Sequence, residues 1–231
     1  MTEDTLAEAI AYELRREILR GNLPPGAPIK ERDNAERQGV SRTPMREAIR
    51  ILAKEGLVVL RPLRSPVVAD PSLSELIDQI HVLHALEMLS GELACARATD
   101  AEIAAIGALK DRIEAIYGEA DTLDVFELDM QFHASIVAAS HNAALRETHG
   151  SYMARLWRAR YLSARRKLSR ERVLRQHKAI HAALAARDVT AIKAEIGAHL
   201  GAMVANIEDH FREEHGQDMQ DQPKTRPGEA T

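Results

Sequence analysis

Four residues in the second half of the chain have the types and spacing of a metal centre. Asp129 and His133 stand four apart within the apolar stripe Phe126, Asp129, His133, Ile136, so one helix face carries both inward. His177 falls in the stripe Val173, His177, Ile180, Leu184, and His199 in Ile192, Ile196, His199, Met203. Burying a carboxylate and three imidazoles is costly unless something satisfies them together, and a divalent cation does so. A lone histidine on an apolar stripe is more often a hydrogen-bonded core residue. Spacing alone therefore leaves a metal and an unmetallated polar cluster both open. Imidazole and carboxylate donors suit Zn, and they also admit Ni or another first-row ion.

A second set of residues has the spacing of a polyanion reader. Arg42, Arg46 and Arg50 recur at i, i+4 and i+8, on a different face from Met45, Ile49 and Leu52. Pro44 lies in the first turn of this helix, where a missing N–H costs nothing, and Ser41 is placed to cap it. A short helix with an apolar back and an arginine front suits a DNA major groove, where guanidinium groups reach guanine edges or phosphate oxygens. Charge runs the same way. Residues 29–64 hold nine Lys/Arg against five Asp/Glu, a balance of +4, whereas residues 71–231 hold 19 against 24, a balance of −5. A basic segment joined to a larger acidic one fits a nucleic-acid reader with a partner domain that does not touch DNA.

Both sets need helices to position them, and the composition favours helices. Hydrophobic residues make up 45% of the 231 positions and aromatic ones only 3%, with Ala and Leu abundant. No apolar run approaches the roughly 20 residues that span a bilayer, and the acidic N-terminus has no signal-peptide pattern. Cys95 is the single cysteine and reads as a small core residue, so a cytoplasmic chain without an internal disulfide is expected. Periodicity predicts helices over 5–20, 31–38 and 41–54, then β-prone runs at 57–60 and 66–69 around a basic tip. That is a winged helix-turn-helix over residues 1–70. Residues 71–215 read as an all-α bundle with helices near 73–98, 101–117, 123–140, 143–164, 169–187 and 189–214, and residues 216–231 as a disordered polar tail. The expected fold class is mainly α.

The motifs Leu23-Pro24-Pro25-Gly26, Gly39-Val40-Ser41-Arg42-Thr43-Pro44-Met45-Arg46-Glu47-Ala48 and Glu55-Gly56-Leu57-Val58 resemble the DNA-binding domain of the GntR family of bacterial transcription regulators. The resemblance covers residues 5–69 and implies DNA contacts from Arg32, Arg42, Thr43, Arg46 and Arg50, with Arg64 at the wing tip reaching a minor groove. Two places depart from the family pattern. Asn34 and Gln38 stand where leucines are usual, which predicts a polar face on the helix before the turn, and Ser65 stands where the wing turn has glycine. Downstream, Leu128-Asp129-Met130-Gln131-Phe132-His133, His177-Lys178-Ala179-Ile180 and His199-Leu200 resemble the FCD-type effector domain of the FadR-like branch. That resemblance implies a Zn, Ni or similar ion on Asp129, His133, His177 and His199, with open positions for a small carboxylate.

The expected function is a metabolite-responsive DNA-binding transcriptional regulator, a repressor, modulated by a small organic acid at the metal. A homodimer would place two arginine-bearing helices on a near-palindromic double-stranded operator. Effector contacts are expected from Glu87, Arg158 and His181, with Arg160 a further substitute for the family's carboxylate-clamping arginine, whose place is taken by Leu83. The alternative is a helical metalloenzyme that hydrolyses its substrate with the Asp/His3 site. Against it, the chain has no separate glutamate placed as a general base, no nucleophile elbow and no phosphate loop.

Overall fold

The computed structural model describes residues 3–165 and 170–220. The chain starts with α1 (Glu3–Arg20), α2 (Glu31–Gln38) and α3 (Arg42–Lys54), followed by strands β1 (Val58–Val59) and β2 (Val67–Val68). Helix α1 buries Ile10, Leu14 and Ile18 against Met45, Ala48, Ile49 and Leu52 of α3. The strands pair antiparallel, Val58 with Val68 and Val59 with Val67. The wing is shorter than the β-prone runs predict, because Leu60 is half exposed and only two residues pair on each side.

The polar face expected on α2 resolves locally. The Asn34 side-chain amide donates to the Lys30 carbonyl at 2.9 Å, and its oxygen accepts from Arg37 at 2.9 Å. Ala35, rather than the Asn34–Gln38 pair, enters the apolar core, and Gln38 stays half-buried. The desolvation cost of an unpartnered buried amide, about 1–3 kcal/mol, is thereby avoided.

Seven helices follow: α4 (Leu73–Arg97), α5 (Asp100–Ile116), α6 (Thr122–Ala139), α7 (Ala143–Arg155), α8 (Trp157–Arg165), α9 (Arg170–Ala185) and α10 (Val189–Gln220). Their starts follow from capping chemistry. Ser72 with Glu75 and Thr99 with Glu102 form reciprocal capping boxes, while Asp121 and Asn142 accept the N–H of Leu123 and Leu145. Helix α4 packs along α10, and α5 lies against α6 and α9. Helix α10 comes close to α4 at Gly91, where a Cβ would lie 2.7 Å from Ile196 Cδ1 and oblige that side chain to shift.

Two expected elements differ. The single helix read over 143–164 breaks at Leu156 (φ −90°, ψ 0°) into α7 and α8. The break leaves Leu156 fully buried in the bundle while Trp157 packs between the two halves of the molecule. Helix α10 continues past His215 to Gln220, and the rest of the expected tail lies outside the described residues. No helix among the described residues is long and apolar enough to cross a membrane.

The winged domain and the bundle meet through α1. Leu19 joins Leu123, Phe126, Met130, Met153 and Tyr161 in one apolar cluster. Around it, Arg16 pairs with Asp124 at 2.8 Å and Glu127 at 3.0 Å, Arg20 with Asp121 at 2.9 Å, and Tyr12 donates to Glu127 at 3.0 Å. Arg15 binds Glu55, at the end of α3, through two hydrogen bonds and lies 5.7 Å from the Trp157 ring centroid.

Candidate functional site

Helix α6 supplies Asp129 and His133, α9 supplies His177 and α10 supplies His199. One ligating atom from each lies within 4.8 Å of all the others. The tautomers follow from what lies behind the rings. His133 Nδ1 is 2.8 Å from the buried carboxylate of Glu87, and His199 Nδ1 is 3.2 Å from the Gln176 side-chain oxygen. Gln176 is oriented by its own amide donating to the Ala198 carbonyl at 3.4 Å. Both Nδ1 atoms therefore carry the proton, and both Nε2 lone pairs point inward, 3.1 Å from each other.

Two facing lone pairs repel unless a cation lies between them. The Asp129 oxygen adds to the same point, 2.7 Å from His177 Nε2 and 3.7 Å from His133 Nε2. Despite that 2.7 Å approach, neither Asp129 Oδ1 nor His177 Nε2 has an aligned hydrogen bond. With both Nδ1 atoms protonated, the converging Nε2 and Oδ1 atoms offer only lone pairs to one another, which a cation between them would satisfy. The N3O donor set fits a first-row divalent ion, and the acceptors behind two of the three imidazoles are the kind that orient such ligands.

Electrostatics agree with that fit. Burial alone would raise the Asp129 pKa, but the imidazoles of His177, His133 and His199 override it and hold the carboxyl below its usual range. Burial, reinforced by His133 and His177, pushes His199 well below the ordinary imidazole value, leaving a neutral donor. Glu87 is also a buried carboxylate. Its desolvation is outweighed by His133 and by Arg160, whose guanidinium donates to it at 2.8 Å. His149 Nε2 approaches the same carboxylate at 3.5 Å.

Beside the four donors lies a cavity of about 400 Å³. Asp129, Arg160 and Arg165 contribute its charged lining, His177 and His199 its imidazoles, and Phe126, Met130, Leu200 and Met203 its apolar wall. Ser163 and Asn206, hydrogen-bonded to each other at 3.0 Å, add neutral polar groups. The expected effector contacts divide. Arg160 lines the cavity, whereas Arg158 lines a separate cleft with Ile18, Pro25 and Gly56, between the winged domain and the bundle. His181 faces the Ile103 carbonyl at 3.2 Å and packs over Gly107, because α9 turns that side toward α5. Glu87 lies behind His133 and Arg160 rather than on the cavity wall. Leu83 is fully buried in the bundle core.

At the other end, α3 buries Pro44, Met45, Ala48, Ile49 and Leu52 and leaves Arg42, Thr43, Arg46 and Arg50 exposed. Arg46 reaches back to Glu31 at 2.8 Å, Arg50 pairs with Glu47 at 3.2 Å, and Arg32 lies 3.7 Å from Asp33. Exposed pairs of this kind are worth about 0–1 kcal/mol and exchange readily for phosphate. Ser41 occupies the N-cap of α3 but its side chain accepts no hydrogen bond there. Arg64 is exposed at the wing tip. The left-handed residue of that tip is Leu63 (φ 57°), not Ser65.

The family model described as "Bacterial regulatory proteins, gntR family" matches residues 6–68, and the FCD domain matches residues 78–202. The chain belongs to the GntR family. It is 31% identical to the HTH-type transcriptional repressor RspR of Escherichia coli (strain K12) over 189 residues, 81% of this chain and 82% of that protein. It is 34% identical to the Nta operon transcriptional regulator of Aminobacter aminovorans, over 83% of this chain and 85% of that one. Among solved structures, E. coli McbR/YncC superposes with a TM-score of 0.77 at 20% identity, covering 89% of this chain and 98% of that chain. A GntR transcriptional regulator from Rhodococcus sp. RHA1 gives 0.69 at 23% identity, covering 88% and 97%. These superpositions establish the fold, a winged helix-turn-helix followed by a helical bundle.

Members of the GntR family are DNA-binding regulators, so the hydrolase alternative has no support. In this GntR-family chain the sequence reading missed His149 and Gln176. His149 was legible, since Leu145, His149 and Met153 form a buried i, i+4, i+8 stripe on α7. Gln176 carries no such signal, being a half-buried polar residue of α9 held by His199 and the Ala198 carbonyl.

Proposed function

We propose that this chain is a metal-dependent, metabolite-responsive repressor that binds a near-palindromic operator as a homodimer in the cytoplasm. Asp129, His133, His177 and His199 hold a divalent ion, Zn or another first-row metal, whose open positions accept the carboxylate of a small organic acid in the adjoining cavity. The repressor assignment follows the relative RspR. Self-association is supported by the outward stripe Val82, Leu86, Leu89 and Leu93 on α4, of which Val82 is 39% and Leu89 42% exposed.

One observation carries the coupling between metal and DNA: α6 serves both. Asp129, Phe126 and Met130 line the cavity, while Phe126 and Met130 also pack with Leu19 of α1. On the same helix Asp121, Asp124 and Glu127 hold Arg20, Arg16 and Tyr12. A ligand that shifts α6 at Asp129 therefore shifts α1, and α1 carries α3 through its apolar face and the Arg15–Glu55 pair. Coupling of this kind is worth about 1–3 kcal/mol, or roughly 5- to 150-fold in operator affinity.

Fluorescence anisotropy on an operator selected from random duplex DNA tests both halves. Arg46→Ala is expected to lose roughly 1–3 kcal/mol of binding and to relax base preference at one position. Glu31→Gln, which frees Arg46, should leave affinity intact or raise it. Unaltered binding by Arg46→Ala would remove α3 as the reading helix. For the coupling, metal-loaded and metal-stripped protein are expected to differ in operator affinity, and Arg16→Ala should erase the difference while retaining the metal. A full difference in Arg16→Ala would rule out the α6–α1 clamp as the route.

A further inference from the structure

The wing tip holds an apolar side chain that nothing within the chain explains. Leu63 is wholly exposed, at 107% of its reference surface, and no other exposed large apolar residue among the described ones exceeds 52%. Its φ of 57° lies in the left-handed region, in a turn where Arg64 N–H approaches the Arg61 carbonyl at 3.4 Å and Pro62 holds the second position. Glycine is the residue that such a third position favours, because a Cβ there is strained. Among the described residues two other non-glycine residues adopt positive φ, His141 and Arg187, and both have a return for it. His141 lies 3.1 Å from Glu102, and Arg187 donates to the carbonyls of Cys95 and Ala98. Leu63 combines a strained backbone with full hydration of an isobutyl group, and among the described residues nothing covers its side chain.

Its surroundings select the partner. Residues 57–69 contain Arg61 and Arg64 and no acidic residue. Arg61 donates to the Ser65 carbonyl at 2.9 Å, which closes the loop behind the tip and leaves Arg64 exposed. A hairpin with an apolar point and a flanking guanidinium matches a DNA minor groove, where arginine is drawn by the negative potential and an apolar side chain enters between base steps. An isobutyl group offers no acceptor to the guanine 2-amino group, so it disfavours G·C pairs at that step.

We propose that Leu63 is a minor-groove wedge that inserts at a deformable A·T-rich step flanking each half-site and adds selectivity that α3 does not supply. The inference rests on the operator-binding reading above. Leu63→Gly removes the strain, so this variant is expected to melt at or above the parent temperature and folding is not in question. On the selected operator, Leu63→Gly should bind on the order of tenfold more weakly, while its sedimentation matches the parent. With 2-aminopurine at the flanking step, parent protein should raise the fluorescence by unstacking the base, and Leu63→Gly should not. Replacing the flanking A·T pairs by G·C should weaken parent binding, and I·C pairs, which lack the 2-amino group, should restore it. Equal or tighter operator binding by Leu63→Gly would overturn the proposal. So would a loss of affinity that only follows a loss of self-association, since the tip would then contact a second copy. Arg46→Ala serves as the separate control: if it too leaves binding unchanged, the operator-binding reading fails rather than the wedge alone.

Discussion

Glu87→Ala is expected to destabilise the protein by about 3–5 kcal/mol, the usual consequence of removing one partner from a buried ion pair. Glu87 is 2% exposed and accepts from Arg160 at 2.8 Å, while His133 Nδ1 stands 2.8 Å from its other oxygen. Alanine would leave the Arg160 guanidinium, itself 4% exposed, without its counter-charge in the bundle interior. It would also remove the acceptor that fixes the His133 tautomer, so metal affinity should fall by roughly 10–100-fold. Glu87→Gln is the informative companion, because it keeps the volume and one acceptor for Arg160 but loses the charge. Its stability loss should be smaller, with most of the metal defect retained. Urea titration monitored by circular dichroism gives the first quantity and competition with a chromogenic chelator the second. An alanine variant with the parent's midpoint and metal affinity would show that Glu87 holds nothing in place.

The placement of both candidate sites was legible in the sequence, for physical reasons. The convergence of Asp129, His133, His177 and His199 was recoverable because polar groups brought together inside a helical bundle must sit on apolar stripes, and helical periodicity reveals those stripes. The arginine face of α3 was equally readable, since Met45, Ile49 and Leu52 define the buried side of the helix and leave the arginines outside. What periodicity could not supply was the partner of each buried polar group across helices. Arg158 and Arg160 lie two apart on α8, about 200° around the helix, so they face opposite ways, but periodicity does not say that Arg158 faces the interdomain cleft and Arg160 the ligand cavity. The turn at Leu156 rotates α8 relative to α7, and nothing in the local sequence marks it, since Leu156 and Trp157 are both acceptable inside a helix. The concern over Asn34 failed for a related reason. A family pattern shows where apolar residues are usual, whereas the hydrogen bonds to Lys30 and from Arg37 depend on side-chain geometry that a pattern does not carry. Leu63 was hidden because exposure and backbone hand are both properties of the folded turn.

Stripping the metal is expected to have the second large effect, and it separates a metal centre from a hydrogen-bonded polar cluster. An ion that binds only the folded state stabilises it by RT ln(1 + [L]/Kd), which is about 4 kcal/mol when free metal exceeds Kd a thousandfold. For a chain of this size that corresponds to a fall of about 10 °C in melting temperature on chelation. The geometry explains why the loss should not be made good by the protein alone. Without a cation, the Nε2 lone pairs of His133 and His199 face each other at 3.1 Å, and the 2.7 Å approach of His177 to Asp129 yields no aligned hydrogen bond. His177→Ala supplies the control, since it removes one ligand together with its unpartnered nitrogens. That variant should carry no stoichiometric metal on elemental analysis and should melt at the same temperature with and without chelator. If chelation leaves the parent's melting temperature unchanged, and purified protein carries no metal after incubation with Zn or Ni, the four residues form a polar cluster. The α6 coupling would then have to begin at the organic ligand alone, held by Arg160, Ser163 and Asn206.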